Sequence, residues 1–184
     1  AIYPRKIGGR VSCVLETSLL ILGILIIGDQ ATKYMAVKLL KENQQVTLIP
    51  HVLDGTLVYN EGAAWSSFSD MTWLLMVLSL IATGVLLYFI TKNDWKKKKC
   101  FSIAMTLMLA GSFGNLIDRF CTVIKVQKGV VDMIIFTPLD SLWNVLFKSG
   151  FPFFNVADMC LVIGIVFLAV DMIFLQEKRR KKDV

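Results

Sequence analysis

The sequence predicts a mainly α membrane protein: four transmembrane helices that carry a small extracytoplasmic β-sheet and a short surface helix. Three observations predict it. Hydrophobic residues make up 55% of the 184 positions and charged residues only 18%, with a mean hydropathy of +0.64. A soluble domain of this length carries more charge. The apolar residues cluster into four long runs, and the segments between them on one side alternate like strands. At this length a single integral domain, residues 1–184, is expected.

The four runs are assigned to residues of about 14–35, 71–91, 100–118 and 158–175. Runs two and three contain no charged residue between Met71 and Thr91 or between Cys100 and Ile117. Each run approaches the ~20 residues needed to cross ~30 Å of hydrocarbon. The first has an apolar centre, Leu19 to Ile27, of signal-peptide length. It continues into Gly28-Asp29-Gln30-Ala31-Thr32-Lys33 with no small-x-small cleavage site, so a retained helix is expected. Cys13 precedes the apolar centre and is not read as a lipidation cysteine. The chain opens on Ala1 rather than Met, which leaves processing of its first few residues open.

The net charge is +6, and its placement gives the topology. Thirteen of the twenty Lys and Arg lie in three clusters: Arg5, Lys6 and Arg10; Lys92 with Lys96 to Lys99; and Lys178 to Lys182. Each abuts an apolar run, and no nucleic-acid motif accompanies them, so no nucleic-acid partner is expected. Four crossings put both termini on one side, and all three basic clusters fall there. That side is read as cytoplasmic. The four cysteines, Cys13, Cys100, Cys121 and Cys160, form no CxxC pair, and there is one histidine. Neither a metal site nor a disulfide framework is expected, and the cysteines read as apolar filler.

On the opposite side, residues 37–70 contain QQVTLIPHVLDGTLVYN, read as a short hairpin or small sheet with a turn signal at Asp54-Gly55. VIKVQKGVVDMIIF, from Val123 to Phe136, is also strand-like, with Gly129 as a turn. Ser141 to Gly150 is read as a short interfacial helix anchored by Trp143.

Polar residues collect near the outer ends of the helices. Asp29 and Lys33 share a helix face, as do Asn115, Asp118 and Arg119 of GNLIDR. Asn60 opens NEGAAW, Asp132 lies in GVVDM, and Asn155 and Asp158 lie in FNVAD. Each has a structural explanation too. Asn155 with Asp158 is a helix-start pattern. Asp29–Lys33 fits an intrahelical pair, Asp118–Arg119 a local pair ending the third helix, and Asp132 a solvated loop acid. Asp171, beside the basic tail, fits a role at the cytoplasmic interface, and lone His51 a loop position. Taken together, three asparagines, four acids and two cations at one membrane level mark a functional site.

The chemistry narrows by residue type. There is no HExxH, and His51 lacks the setting of a Ser-His system. A Ser-Lys pair of Ser66 or Ser67 with Lys33 finds no support in the spacing. A pair of aspartates remains. Two close carboxylates in low dielectric share a proton, so one takes a proton from water while the other donates to a carbonyl. That is peptide hydrolysis without a cofactor.

Five motifs in order, DQATK, YNEGAAW, GNLIDR, GVVD and FNVAD, cover about Asp29 to Asp171 by their order and spacing. In these the chain resembles bacterial lipoprotein signal peptidase (signal peptidase II). The resemblance implies a four-helix membrane aspartic peptidase with a β-cradle, which cleaves prolipoproteins just before a diacylglyceryl-modified cysteine. It places the catalytic pair on Asp132 and Asp158. It makes Asp29, Lys33, Asn60, Asn115, Asp118, Arg119 and Asn155 substrate-binding or supporting residues, and Gly62 to Phe68 a surface lid. It implies no cofactor and no metal. The expected partners are lipid-modified prolipoproteins and membrane phospholipids, and the expected location is the bacterial plasma membrane; a monomer is the simplest expectation. The chain departs from the family in a longer stretch around LDSLWNVLFKSG and in Gly111-Ser112-Phe113-Gly114. A proton-coupled transporter, the first rival, needs polar groups through the inner half, where runs two and three offer almost none. The second rival, a membrane scaffold, needs no matched pair of acids.

Overall fold

The computed structural model describes residues 8–62, 71–93 and 98–180, with the side chains of 8–17 and 180 outside that description. Helix α1 (Gly8–Leu39) leads into strands β1 (Val46–Ile49) and β2 (Leu53–Asn60). Helices α2 (Thr72–Lys92) and α3 (Lys99–Val123) follow, then strand β3 (Val130–Phe136) and the short helix α4 (Thr137–Phe147). Helix α5 (Val156–Val170) continues through a π turn (Asp171–Leu175) into α6 (Gln176–Arg180).

Among the described residues four helices are long and apolar enough to cross a membrane: Ser18–Leu39, Thr72–Lys92, Lys99–Val123 and Val156–Arg179. They run to 22, 21, 25 and 24 residues. At ~1.5 Å per residue each exceeds the ~30 Å hydrocarbon thickness. The apolar windows of three are 17% buried, whereas that of α3 is 56% buried. Helix α3 is therefore the centre of the bundle, and the other three turn most of their surface outward, as lipid-facing helices do.

Small residues set the fit of α3 against α5. A Cβ added at Gly111 would run into the Ala157 carbonyl oxygen, and one at Gly164 would stand 2.6 Å from the Met108 side chain. Such pairs let backbones approach closely where lipid supplies no hydrophobic drive for helix association. On the far side from the sheet, Ile90, Ala104, Met105 and Leu109 form a buried cluster, with Leu22, Leu86 and Leu168 packed on it.

The three strands form one antiparallel sheet in the order β1-β2-β3. Val58 pairs with Asp132 and Asn60 with Val130, and the ladder is irregular between Gly55 and Val58. Leu57, Val131 and Met133 pack on Ala36, which seats the sheet on the end of α1.

Three sequence expectations change. The hairpin turns at Ile49–Val52, where His51 adopts φ 61° and the Val52 N–H reaches the Ile49 carbonyl at 3.0 Å. Asp54-Gly55 lies inside β2 instead, paired on both sides, with Thr47 and Val46 of β1 and with Ile135 and Ile134 of β3. The strand signal over Val123 to Gly129 yields to the end of α3 and a turn with Lys125 at φ 61°, and β3 starts at Val130. The surface helix is Thr137–Phe147 rather than Ser141 to Gly150. Pro138 opens it, and Lys148 closes it in the left-handed region at φ 53°.

Asp171 begins the π turn and is buried, with Arg179 bound to both carboxylate oxygens at 2.9 and 2.6 Å. His51 is a turn residue, as expected.

Candidate active site

Helices α1 and α3 run parallel, α5 runs antiparallel, and β2 and β3 meet their shared end. The nine polar residues singled out above converge there. Asp29 is 1% exposed, Lys33 3%, Asp118 3%, Asp132 4% and Asn155 0%. Polar groups so deep are tolerable only when paired and hydrogen-bonded. Among the described residues no buried side-chain nitrogen or oxygen lacks a partner.

The cluster has two layers. The lower one is ionic. The Lys33 ammonium has three donors and uses all three: Asp29 at 2.8 Å, Asp118 at 2.9 Å and the Asn115 side-chain oxygen at 3.0 Å. The Asp29–Lys33 pair is thus intrahelical, as one reading proposed, but it is buried rather than interfacial. Asp118 does not form a local pair with Arg119 at a helix end. It pairs with Lys33, and α3 runs five residues past it to Val123.

Each of these two acids also holds a backbone N–H. Asp29 accepts from Ala157 N at 2.8 Å, and Asp118 accepts from Val131 N at 3.2 Å. Those donors immediately precede Asp158 and Asp132 in the chain. The ionic layer therefore fixes the backbone entering both upper carboxylates.

The upper layer contains those carboxylates and is organised by Asn155. Its side-chain amide donates to Asp132 Oδ1 at 2.7 Å, to the Val131 carbonyl at 3.2 Å and to Asn115 at 3.2 Å. Its side-chain oxygen accepts from Asp158 N at 3.0 Å, while its own N–H donates to Asp158 Oδ2 at 3.1 Å. The last two bonds make a capping box at the start of α5. Capping and site-building are thus one arrangement. Asn115 donates to Asp158 Oδ1 at 2.8 Å, and Asn60 donates to Asp132 Oδ2 at 3.1 Å. Two carboxylates from different elements are so held on a single asparagine.

The two carboxyls differ in their settings. Burial, and then the charge of Asp158, push Asp132 from the ordinary carboxylate value up to about 7, against the opposing bonds from Asn60 and Asn155 and the charge of Lys33. Asp158 sits at the positive end of α5, where the helix dipole favours a carboxylate. Arg119 is half-buried within electrostatic reach of Asp158, Asp132 and Asp118, yet among the described residues it forms no ion pair. Its guanidinium has donors to spare beside the carboxylates. Of the proposed lid, Gly62 donates its N–H to the Asn60 side chain at 3.1 Å, and 63–68 lie outside the described residues.

Glycine is required where α1, α3 and α5 meet. A Cβ at Gly114 would stand 2.6 Å from Asp29 Oδ2 and 3.1 Å from the Ala157 Cβ. Asp29 cannot yield, because Lys33 and Ala157 hold its two oxygens. Gly114→Ala is expected to cost about 1–3 kcal/mol as an overpacked site and to lower turnover at least about tenfold. Thermal unfolding and specific activity in detergent check both, and wild-type values of each would contradict the packing argument.

One residue of the cluster carries no sequence signal of its own. Gln30 donates to Asp29 at 3.1 Å, to the Gly114 carbonyl at 3.2 Å and to Asp118 at 3.3 Å. Its position next to Asp29 in DQATK was the only pointer.

Fold and site together define an integral membrane protein that holds two aspartates on one asparagine at the common end of its helices. Comparison with known proteins carries this further. The family model Signal peptidase (SPase) II, an A8 peptidase, matches residues 21–174. The chain is 38% identical over 160 residues to the lipoprotein signal peptidase of Latilactobacillus sakei subsp. sakei strain 23K, covering 86% of this chain and 95% of that one. It is 32% identical over 168 residues to the lipoprotein signal peptidase of Staphylococcus aureus strain bovine RF122 / ET3-1, covering 91% and 94%. Two solved structures of a bacterial membrane enzyme, obtained by the in meso method at 1.9 and 2.3 Å, superpose with TM-scores of 0.70 and 0.71 at 32% identity. These cover 87% and 92% of this chain, and 94% and 93% of theirs. The chain belongs to the signal peptidase II family.

Proposed function

We propose that the protein removes signal peptides from lipid-modified prolipoproteins, cleaving before the lipidated cysteine, and that Asp132 and Asp158 are its catalytic pair. The observation that carries the pair is the bridging of both carboxylates by Asn155, at 2.7 Å to one and 3.1 Å to the other. Asp132, raised to about 7, holds the proton of the resting pair, and Asp158 is the base. A water gives a proton to Asp158 as its oxygen attacks the scissile carbonyl carbon, and Asp132 protonates the carbonyl oxygen. The diol then collapses. Asp158 returns its proton to the cysteine nitrogen as the C–N bond breaks, and Asp132 recovers a proton from a diol hydroxyl. No cofactor enters this cycle.

Depth fits the substrate. Acyl chains hold a lipidated cysteine near the membrane surface, and the pair lies at the ends of the helices. Arg119, with free donors beside the carboxylates, is suited to hold a substrate carbonyl. The basic residues Lys92, Lys98, Lys99 and Lys178 lie at the other ends of the helices, which supports cytoplasmic termini and an extracytoplasmic site in the bacterial plasma membrane. We take residues 1–184 as a single domain working as a monomer among phospholipids.

The test is to incubate purified protein with a diacylglyceryl-modified prolipoprotein and with its unmodified precursor. The expected result is a shortened product from the modified precursor only, with its new N-terminus at the cysteine. Cleavage elsewhere, or of both precursors equally, would refute the reading.

A further inference from the structure

The two acids of the ionic layer present a charge problem. Asp29 and Asp118 both lie almost fully buried and both pair with Lys33; the Arg119 guanidinium is within electrostatic reach of Asp118 but, among the described residues, pairs with neither acid. One ammonium and two carboxylates leave a net negative charge in low dielectric, where an unbalanced charge is costly. Something must supply donors to the surplus oxygens.

We propose that Gln30 does so, and that it is a positioning residue for the catalytic pair. The inference rests on the assignment of Asp132 and Asp158. The Gln30 side-chain nitrogen lies 3.1 Å from Asp29 Oδ2, 3.3 Å from Asp118 Oδ1 and 3.2 Å from the Gly114 carbonyl oxygen. It thus joins α1 to α3 and spans both acids. The remaining oxygens of those acids hold Ala157 N and Val131 N, the backbone donors one residue before Asp158 and Asp132. A neutral amide gives each acid a third donor, after Lys33 and the backbone N–H, without a second paired cation. It keeps the acids apart at the spacing at which each reaches its backbone partner. The charged groups around it are Asp29 and Lys33 of its own helix and Asp118 of α3, with Arg119 of α3 in electrostatic reach of Asp118. Asp158 of α5 and Asp132 of β3 lie in electrostatic reach of Lys33.

Gln30 itself is only half-buried and touches neither catalytic carboxylate. Its effect should therefore appear in turnover and not in substrate affinity. Gln30→Met keeps length and removes the donors. Its kcat per folded enzyme is expected to fall about 10- to 100-fold, the factor that hydrogen bonds to charged groups are worth, with KM unchanged. Gln30→Glu replaces the donor nitrogen with a carboxyl oxygen facing two acids. Its kcat relative to wild type should rise as pH falls, because the introduced carboxyl becomes a donor when protonated. A purely packing role would give no such pH dependence.

Folded fraction is read from gel filtration and thermal unfolding in detergent. A kcat for Gln30→Met within twofold of wild type, a loss confined to KM or to folded fraction, or a pH-independent Gln30→Glu ratio would each overturn the inference. Asp132→Asn and Asp158→Asn are assayed alongside. If both are inert, a negative Gln30 result falls on the positioning role alone. If either is active, the catalytic assignment itself fails.

Discussion

Asp132→Asn and Asp158→Asn are each expected to lower kcat by about 10²- to 10⁴-fold, the range a general acid or base contributes. Neither should unfold the protein. In Asp158→Asn the side-chain oxygen still accepts from Asn155 N, whose bond to the native carboxylate is 3.1 Å, so the cap of α5 survives. In Asp132→Asn one of the two amide donors, Asn60 at 3.1 Å or Asn155 at 2.7 Å, loses its acceptor. That loss is set against the removal of a buried charge.

The sign of the stability change follows from the carboxyl of Asp132, whose value is about 7 folded against 3.8 ordinarily. A carboxyl raised on folding contributes stability that is fully present below the ordinary value. That contribution is lost as pH rises through about 7. The melting temperature of Asp132→Asn should accordingly gain on wild type between about pH 4 and pH 8. Turnover of a lipid-modified precursor and thermal melts across this range check the two statements. An active variant, or a melting difference that moves the other way, would contradict them.

Lys33→Met is expected to have the largest effect on stability. The ammonium answers Asp29, Asp118 and Asn115 at once, at 2.8, 2.9 and 3.0 Å. Its removal leaves two buried carboxylates with no cation. Breaking a buried pair by deleting one partner typically costs about 3–5 kcal/mol, and here two pairs go together. Loss of folded protein in detergent, and with it loss of activity, is the expected result. Combining Lys33→Met with Asp29→Asn and Asp118→Asn removes the unpaired charges and should recover part of the folded yield. Activity should stay low, because the backbone before Asp132 and Asp158 is then held by weaker neutral acceptors. Lys33→Met with wild-type melting would show that the cation does not organise the layer.

What was readable in the sequence follows from contrast. Polar residues stand out in apolar runs, so Asp29, Lys33, Asn115, Asp118, Asn155 and Asp158 were found from their placement. The family resemblance, rather than spacing, singled out Asp132 and Asp158 among the acids. Asn155 was legible as a helix cap and as a member of the polar set. That it also holds Asp132 depends on β3 lying beside α5, which no local pattern encodes. Gln30 carried no signal, because an amide next to an acid resembles ordinary helix surface.

Boundaries failed where one local signal outweighed another. Asp54-Gly55 has turn composition, yet Pro50-His51 makes the turn, and Gly55 serves the close approach of Leu48. The charge-free run predicts an end to the third helix near Ile117, with Asp118 and Arg119 as a local ion pair there. With Lys33 neutralising Asp118, the helix continues to Val123. The surface helix begins four residues early because Pro138 favours a first turn.

The most direct test of the paired carboxyls is a titration of Asp132, followed by isotope-edited infrared or NMR from pH 4 to 9. The expected result is a protonated carboxyl that titrates near 7 in the intact protein. Burial, the larger cause of the rise, remains in Asp158→Asn, but the neighbouring charge, the second cause, is gone, so the titration should move part of the way toward the ordinary carboxylate range. An Asp132 already ionised at pH 5, and indifferent to the loss of Asp158, would contradict the account.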